Sequence, residues 1–150
     1  MKGRFIFMLL ILMLVAASCA TFRVGLPEGF ALVQEGAEFV AVSPEGLTYR
    51  VKTEANYPEK NVDFWSGAMK RQLEEEGYKL RSEGEFFECP AGRGYFIEWN
   101  VPHQGETFIY MTGIVPAGGA LYVAEAAAEH TIYKTYRDAI IESLESIASE

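Results

Sequence analysis

The feature that most constrains this chain is a short apolar run close to its amino terminus. Lys2 and Arg4 begin the chain with positive charge, and residues 5–17 form a run of 13 uncharged, mostly apolar residues. A helix needs roughly 20 such residues to cross a bilayer, so this run is short for a membrane span. Its length and its basic start are typical of a signal peptide. The fold must then be built from the residues that follow it.

Small residues connect this run to a cysteine. Ala16, Ala17 and Ser18 stand directly before Cys19. Together these positions resemble the lipobox of bacterial lipoproteins, in which the chain is cut before the cysteine. The resemblance implies that residues 1–18 are a lipoprotein signal peptide. It also implies that the Cys19 sulfur carries a diacylglycerol, often with a further acyl chain on the amine, and two or three chains anchor a protein stably.

Two other interpretations of the amino terminus remain open. An ordinary secretory signal cut nearby would release a soluble protein, and an uncleaved run would act as an anchor helix. In the lipoprotein sorting pattern, an Asp directly after the lipidated cysteine retains the protein at the inner membrane. Ala20 occupies that position here. The resemblance therefore favours the periplasmic face of the outer membrane in a host that has one.

The net charge of the chain restricts its partners. Thirteen Lys and Arg stand against 21 Asp and Glu, which gives −8, and cleavage before Cys19 would remove Lys2 and Arg4 and change this to −10. Nucleic-acid binding needs a basic surface, so we expect no nucleic-acid partner. An acidic domain gains nothing from anionic lipid. We therefore expect residues 19–29 to form a short tether that holds the domain off the membrane.

From residue 30 onward the pattern is that of a single domain, residues 30–150, with no repeat or long linker. Residues 47–54 alternate apolar and polar side chains, which predicts a strand with one wet face. The turn 43–46, with its Pro and Gly, joins this strand to residues 39–43 as a hairpin. The same reasoning predicts further strands at 30–33, 78–81, 86–89, 95–101, 107–115 and 121–127. Short turns between consecutive strands favour antiparallel pairing.

Two helices interrupt and end this series of strands. Asn61 is a suitable cap for a helix over residues 62–76, and Gly77 stands where such a helix would end. Val62, Trp65, Met69 and Leu73 fall on one apolar stripe, which we interpret as core packing. A second helix is predicted from His130 to about Ala148, with Glu129 or Thr131 at its start. The predicted order is β-β-β-α-β-β-β-β-β-α, an α+β fold built on an antiparallel sheet.

Several of these segments resemble the PsbP superfamily, which also contains the Mog-type Ran-binding proteins. The resemblance covers roughly residues 29–147. It rests on the hairpin 39–47, on Trp65 near the start of a helix that ends with Leu73 and Gly77, and on the last strand and helix through 136–144. It implies an α/β/α sandwich around an antiparallel sheet. Known members are mostly accessory or binding proteins without a shared catalytic site: one branch attaches to photosystem II, and the Mog-type branch binds a small GTPase.

The candidates for chemistry do not form a recognisable site. Once Cys19 is lipidated, Cys89 has no partner within the chain, and neighbouring carboxylates would raise the pKa of its thiol. We interpret Cys89 as a small buried residue, with an intermolecular disulfide as the alternative. His103 and His130 are far apart and lack a metal-protease spacing. We expect them to face solvent or to cap an element.

Other patterns have equally ordinary interpretations. Ser43 and Ser66 lie outside any nucleophile elbow, and Gly92-x-Gly94 is best interpreted as a hairpin connection rather than a phosphate loop. The glutamates lack the spacing of a calcium loop, so a solvated surface is expected. Tyr122, Tyr133 and Tyr136 either line a ligand groove or pack the last helix on the sheet, and we favour packing. The sequence thus predicts no catalytic residue, no metal site and no cofactor.

These observations predict a class of function rather than an activity. We expect a non-enzymatic, membrane-anchored extracytoplasmic lipoprotein, held by lipid at Cys19, that binds another envelope protein. The alternative is a small-ligand or lipid-binding lipoprotein with a pocket between sheet and helix, which needs a cavity of about 300 Å³ or more. An enzyme would require Cys89 or a histidine to meet a carboxylate in a cleft.

Overall fold

The computed structural model describes residues 21–150. The predicted signal peptide, residues 1–18, and the predicted lipidation site, Cys19, lie outside the described residues. The elements in chain order are β1 (Phe22–Arg23), β2 (Ala31–Gln34), β3 (Glu38–Val42), β4 (Thr48–Ala55), α1 (Val62–Glu75), β5 (Lys79–Leu80), β6 (Glu85–Cys89), β7 (Gly92–His103), β8 (Glu106–Ala117), β9 (Ala120–Glu129), α2 (His130–Glu145) and β10 (Ala148–Ser149). The predicted order is confirmed from β2 to α2, and a two-residue strand is added at each end.

Eight strands form one antiparallel sheet in the order β2-β3-β4-β9-β8-β7-β5, and β6 also pairs with β7. Short turns between consecutive strands account for this pairing. At the β7–β8 turn, Gln104 and Gly105 have φ values of 50° and 82°. Positive φ at both central residues is typical of the type I′ turn, whose twist matches that of the strands it joins.

One helix covers each face of the sheet, which confirms the predicted α/β/α sandwich. Helix α2 packs on one face through Tyr133, Ile140 and Leu144, against sheet residues such as Tyr49 and Met111. Helix α1 packs on the other face through its predicted apolar stripe, beside the fully buried side chains of Ile97 and Trp99 in β7. The central strands are apolar on both sides because both of their faces are covered.

Local signals account for most helix ends. The Asn61 side chain accepts a hydrogen bond of 3.0 Å from the Phe64 N–H and so caps α1. After α1, Gly77 has a φ of 94°, and the N–H of Tyr78 donates to the Leu73 carbonyl, as in a Schellman motif. Glu129 caps α2. Neither helix in residues 21–150 is long and apolar enough to cross a bilayer.

The carboxyl end differs from the prediction because the chain forms a strand there. Helix α2 ends at Glu145, about three residues earlier than expected, and β10 then pairs with β1. The Phe22 side chain packs against Tyr122 with ring centroids 5.3 Å apart. The Gly25 N–H donates to Ser146 Oγ at 2.7 Å, and Ser143 Oγ donates back to the Gly25 carbonyl at 2.6 Å.

These contacts correct the expected tether. The sequence predicts a short tether over residues 19–29, yet within it Phe22 packs against β9 and Gly25 is hydrogen-bonded to Ser143 of α2 and to Ser146. Phe30 continues this packing against Tyr136, with ring centroids 5.2 Å apart. The folded domain therefore already includes Phe22, eight residues before its expected start at residue 30. Each contact joins residues about a hundred positions apart, which is why local sequence patterns do not predict them.

The turn between β6 and β7 is also shorter than expected. The sequence favours a hairpin connection at Gly92-Arg93-Gly94, but all three residues belong to β7 and pair with β6. Gly94 lies directly opposite Phe87, and a Cβ atom added to it would lie 2.7 Å from Cε1 of the Phe87 ring. Glycine is thus required at position 94 because the aromatic ring crosses the backbone there.

The two ends of the sheet carry different parts of the chain. The end that we call the β1 end carries β1 and β10, the loop 56–61 before α1, and the turns at 90–91 and 118–119. The opposite end, here the far end, carries the turns 43–47 and 104–105 and the start of α2. Because β7 has 12 residues, the two ends are about 36 Å apart.

Candidate functional site

The most buried charged group in the described residues is a carboxylate between the sheet and α2. Glu98 on β7 is 5% exposed. Its Oε1 accepts a hydrogen bond of 2.7 Å from the Tyr133 hydroxyl and one of 2.6 Å from Arg137 Nε. Tyr133 and Arg137 are four residues apart on α2 and so reach the same carboxylate. The buried charge is therefore paired with a cation and a phenol, as burial of a carboxylate requires.

The proton affinities of these partners indicate a structural cluster. Burial raises the pKa of Tyr133, and its hydrogen bond to the Glu98 carboxylate raises that pKa further. Burial by itself would lower the pKa of Arg137, but the hydrogen bond and charge of Glu98 outweigh it, so this pKa is raised. Both side chains keep their protons near neutral pH. They hold α2 against the sheet and are poorly suited to acid–base catalysis.

Looser polar contacts surround this cluster. Arg81 Nη2 lies 3.3 Å from His130 Nε2, and Arg81 Nη1 donates to Asn100 Oδ1 at 3.4 Å. Arg137 Nη2 also lies 3.8 Å from a Glu85 carboxylate oxygen. All of these contacts are at the protein surface, where water screens such pairs. His130 thus opens α2, as expected, and takes part in a surface contact with a cation.

A second feature is an open cleft at the β1 end with a volume of about 440 Å³. Its wall is fixed by Asn56, which is 2% exposed. The Asn56 amide nitrogen donates to the carbonyls of Lys60 and Gly118, and its oxygen accepts from the Lys60 N–H and from Trp65 Nε1 at 2.8 Å. All four hydrogen bonds of the amide are made, so Asn56 holds the loop in place. The cleft is lined by Asn56, Glu59, Lys60, Asn61, Val62, Arg93, Pro116 and Gly118.

Cys89 lies at the end of β6 and is half-buried against the core. Its Sγ donates a weak hydrogen bond of 3.1 Å to the Gly92 carbonyl. The pKa of this thiol is raised, as expected, but chiefly by burial, and Glu88 contributes least among the causes. A raised pKa leaves little reactive thiolate at neutral pH. The interpretation of Cys89 as a packed residue is supported by these contacts.

The other sequence candidates do not converge. His103 ends β7 and packs edge-on against Phe108, with ring centroids 5.4 Å apart. Its strand position puts it at the far end, whereas Cys89 lies at the β1 end. Within residues 21–150 there is no group of three or more His, Cys, Asp or Glu side chains placed to hold a metal ion.

Tyr122, Tyr133 and Tyr136 take part in the packing of α2 on the sheet, which is the interpretation that the sequence favours. Tyr122 and Tyr133 are each 2% exposed. The Tyr136 ring covers Phe30, and its hydroxyl donates to Glu45 at 2.6 Å. None of them lines the cleft at the β1 end.

No motif in the sequence predicts Glu98, Arg137 or Asn56 as residues of a site. The sequence does contain one indication for Glu98: this acidic residue interrupts the apolar run of residues 95–99 in a strand covered on both faces. An acidic residue at such a position must find a partner. Arg137 was one of several charged residues on a helix surface, and nothing local marked it as that partner. Asn56 sits in a loop of ordinary polar composition.

No protein-family model matches this chain, and no curated protein sequence matches it. Solved structures do match it. LpqN of Mycobacterium tuberculosis, described as involved in cell envelope biogenesis, is similar with a TM-score of 0.60 and 13% identity, covering 89% of this chain and 87% of LpqN. A protein of unknown function from Pseudomonas aeruginosa matches with a TM-score of 0.58 and 7% identity, covering 77% of this chain and 94% of that one.

A PsbP protein shares the same architecture. Cyanobacterial PsbP (CyanoP) from Synechocystis matches with a TM-score of 0.55 and 10% identity, covering 90% of this chain and 96% of that protein. At such identities the likeness establishes the fold and carries no activity with it. The chain thus has an α+β fold of the PsbP-like type, an antiparallel sheet between two helices, as the sequence predicts.

Proposed function

We propose that this protein is a non-enzymatic lipoprotein, anchored by acylated Cys19 on the extracytoplasmic side of a bacterial membrane, whose PsbP-like domain binds another envelope protein. In a host with an outer membrane, its place is the periplasmic face of that membrane, since Ala20 follows the cysteine. The single observation that carries the proposal is the position of Cys19. It ends a signal-like run and stands only three residues before Phe22, which is already part of the folded domain.

Two further observations support this proposal. LpqN, which has the same fold, is described as taking part in cell envelope biogenesis. Tyr133 and Arg137 both bind the buried Glu98 carboxylate, so this cluster offers no open acid or base to a substrate. A domain of this kind fits an accessory role better than a catalytic one.

The surface offers places for a protein partner away from β1. The side of β4 that carries Thr48 and Arg50 is exposed, beside the carboxylates of Glu38 and Glu125. Strand β2 ends the sheet and exposes Leu32 and Val33, and Val33 forms a bulge in the pairing with β3. A bulge discourages the addition of another strand to an edge, so we expect a partner to contact side chains.

The anchor is tested by replacing its sulfur. The variant Cys19→Ala should accumulate as an unprocessed or mislocalised precursor, because the acyl chains attach to that sulfur. Intact-mass measurement and membrane fractionation are the readouts, and Cys89→Ala serves as the matched control that keeps the predicted anchor. Wild-type protein with an unacylated amino terminus would refute the proposal. So would a Cys19→Ala variant that is still processed and held on the membrane.

The partner is tested on protein extracted from native membranes in mild detergent. Native mass spectrometry of this material should show a second polypeptide bound to the acylated chain. The second candidate function, small-ligand or lipid binding, is favoured by the cleft of about 440 Å³ at the β1 end, which exceeds the size that such a site needs. A bound small molecule in place of a polypeptide would support that candidate. A chain that carries neither would contradict both.

A further inference from the structure

We infer that the β1 end of the domain lies against the membrane, with the Tyr57 side chain at the level of the lipid head groups. This inference rests on the proposed acylation of Cys19. It replaces the expectation that the domain stands off the membrane, and it orients the whole molecule. The far end and the exposed side of β4 then point away from the lipid, toward a partner.

The length of chain available to the anchor sets this orientation. Only Ala20 and Thr21 separate Cys19 from Phe22. An extended chain spans at most about 3.5 Å per residue, so the Cα atom of Phe22 stays within about 11 Å of that of the acylated cysteine. The domain is about 36 Å long from the β1 end to the far end, because β7 has 12 residues and runs between the two ends. A tether that is much shorter than the domain brings the attached end to the membrane.

The first strand is held firmly enough to transmit this restraint. Its partner β10 pairs with it in register, and the Glu150 N–H donates to the Thr21 carbonyl at 3.0 Å. Arg23 and Glu150 form an ion pair of 3.0 Å. Phe22 is 9% exposed, and pulling it free would expose its ring and lose the contact with Tyr122. Peeling β1 away to lengthen the tether is therefore unfavourable.

The exposed apolar side chains at the β1 end suit a lipid surface. Tyr57, in the loop before α1, is 88% exposed. Phe64 in the first turn of α1 is 50% exposed, and Leu26, next to the Gly25 that contacts Ser146, is 49% exposed. Leu26 lies on the α2 side of the sheet and Phe64 on the α1 side, so apolar groups flank this end on both sides. Tyrosine combines an apolar ring with a polar hydroxyl and is enriched where membrane meets water.

Charge alone would not produce this arrangement. Lys60 and Arg93 at the β1 end suit lipid phosphates, but the carboxylates of Glu59, Glu145 and Glu150 lie there too. The chain from Cys19 onward carries −10. Repulsion from an anionic membrane is screened beyond about 8 Å at physiological salt. The short tether is thus the cause of the contact, and a longer tether should abolish it.

Fluorescence quenching by bromine-labelled lipid tests the orientation. The acylated protein is reconstituted in vesicles of brominated phosphatidylcholine with phosphatidylglycerol. Tyr57→Trp places an indole at the β1 end, and the matched control Glu106→Trp places one at the far end. The emission of wild-type protein, from Trp65 and Trp99, is subtracted. We expect a large loss of the added emission for Tyr57→Trp and none for Glu106→Trp.

A third variant separates the tether from any affinity of the domain itself. A Gly/Ser linker of sixteen residues inserted after Ala20 has a mean length of about 22 Å and should remove the quenching of Tyr57→Trp. Equal quenching at both ends, or no quenching of Tyr57→Trp on acylated protein, would overturn the orientation. Quenching of Tyr57→Trp that survives the linker would overturn the short tether as the cause of the membrane contact. Intact mass of the same samples reports acylation separately. An unacylated wild-type chain would overturn the proposed function, and the orientation with it.

Discussion

Replacing Arg137 by alanine should lower the free energy of unfolding by about 3 kcal/mol. The change removes the cation that faces Glu98, while the carboxylate stays between β7 and α2 with its side chain 6% exposed. An unpaired buried charge costs more than the pair itself contributes. We place the loss at the lower end of the usual range because the Arg137 side chain is one-third exposed, and water can partly replace it.

Urea denaturation followed by tryptophan fluorescence measures this loss. The matched control is Arg23→Ala, which breaks the ion pair of 3.0 Å to Glu150, with side chains 72% and 43% exposed. Surface pairs contribute less than about 1 kcal/mol, so the control should differ little from wild type. The double variant Glu98→Gln with Arg137→Met removes both charges, keeps an acceptor for the Tyr133 hydroxyl, and should recover most of the stability. Equal losses for Arg137→Ala and Arg23→Ala would contradict a buried ion pair.

The parts of the fold that sequence analysis predicts correctly follow local rules. Asn61 caps α1, and Gly77 ends it with a positive φ, because helix ends are determined by a few neighbouring residues. The hairpin 39–54 follows from alternation and from a turn containing Pro and Gly. The apolar stripe of α1 packs as its spacing predicts. Periodicity and turn chemistry were sufficient for the order of the elements and for the fold class.

The parts that sequence analysis misses depend on contacts between distant residues. Strands β1 and β10 have two residues each and form because Phe22 pairs with Ser149, 127 positions later in the chain. The Glu98 cluster joins a strand to a helix 39 positions later in the chain. No local pattern encodes such pairs. The candidate cleft depends likewise on Asn56, whose amide connects its loop to the β8–β9 turn 62 positions away.

Gly94 is the most informative of the incorrect predictions. Its expected place in a turn was wrong, and the structure gives another reason why position 94 is a glycine. Gly94 is buried in β7, directly opposite Phe87 of β6. The Phe87 ring lies over the glycine backbone and is only 7% exposed. An aromatic side chain that covers a cross-strand glycine replaces the packing that the glycine lacks.

The variant Gly94→Ala should therefore destabilise the domain by about 3 kcal/mol, the upper end of the usual range for overpacking. The new Cβ would lie 2.7 Å and 2.8 Å from the two Cε atoms of Phe87, so the ring must leave its place in the core beside Phe96. Thermal and urea unfolding measure the loss. Shortening the ring in the double variant Gly94→Ala, Phe87→Leu should make the two changes less costly together than the sum of the two alone.

The control for this prediction is a glycine with free space around it. Gly67 lies within α1, and a Cβ added there meets nothing within 4 Å. Gly67→Ala should stabilise the domain by about 0.5–1 kcal/mol, because alanine loses less conformational entropy than glycine in a helix. The same substitution thus has opposite expected signs at positions 67 and 94. A neutral or stabilising Gly94→Ala would mean that residues 92–94 form the hairpin connection that the sequence suggests, and that the Phe87 ring does not rest on β7.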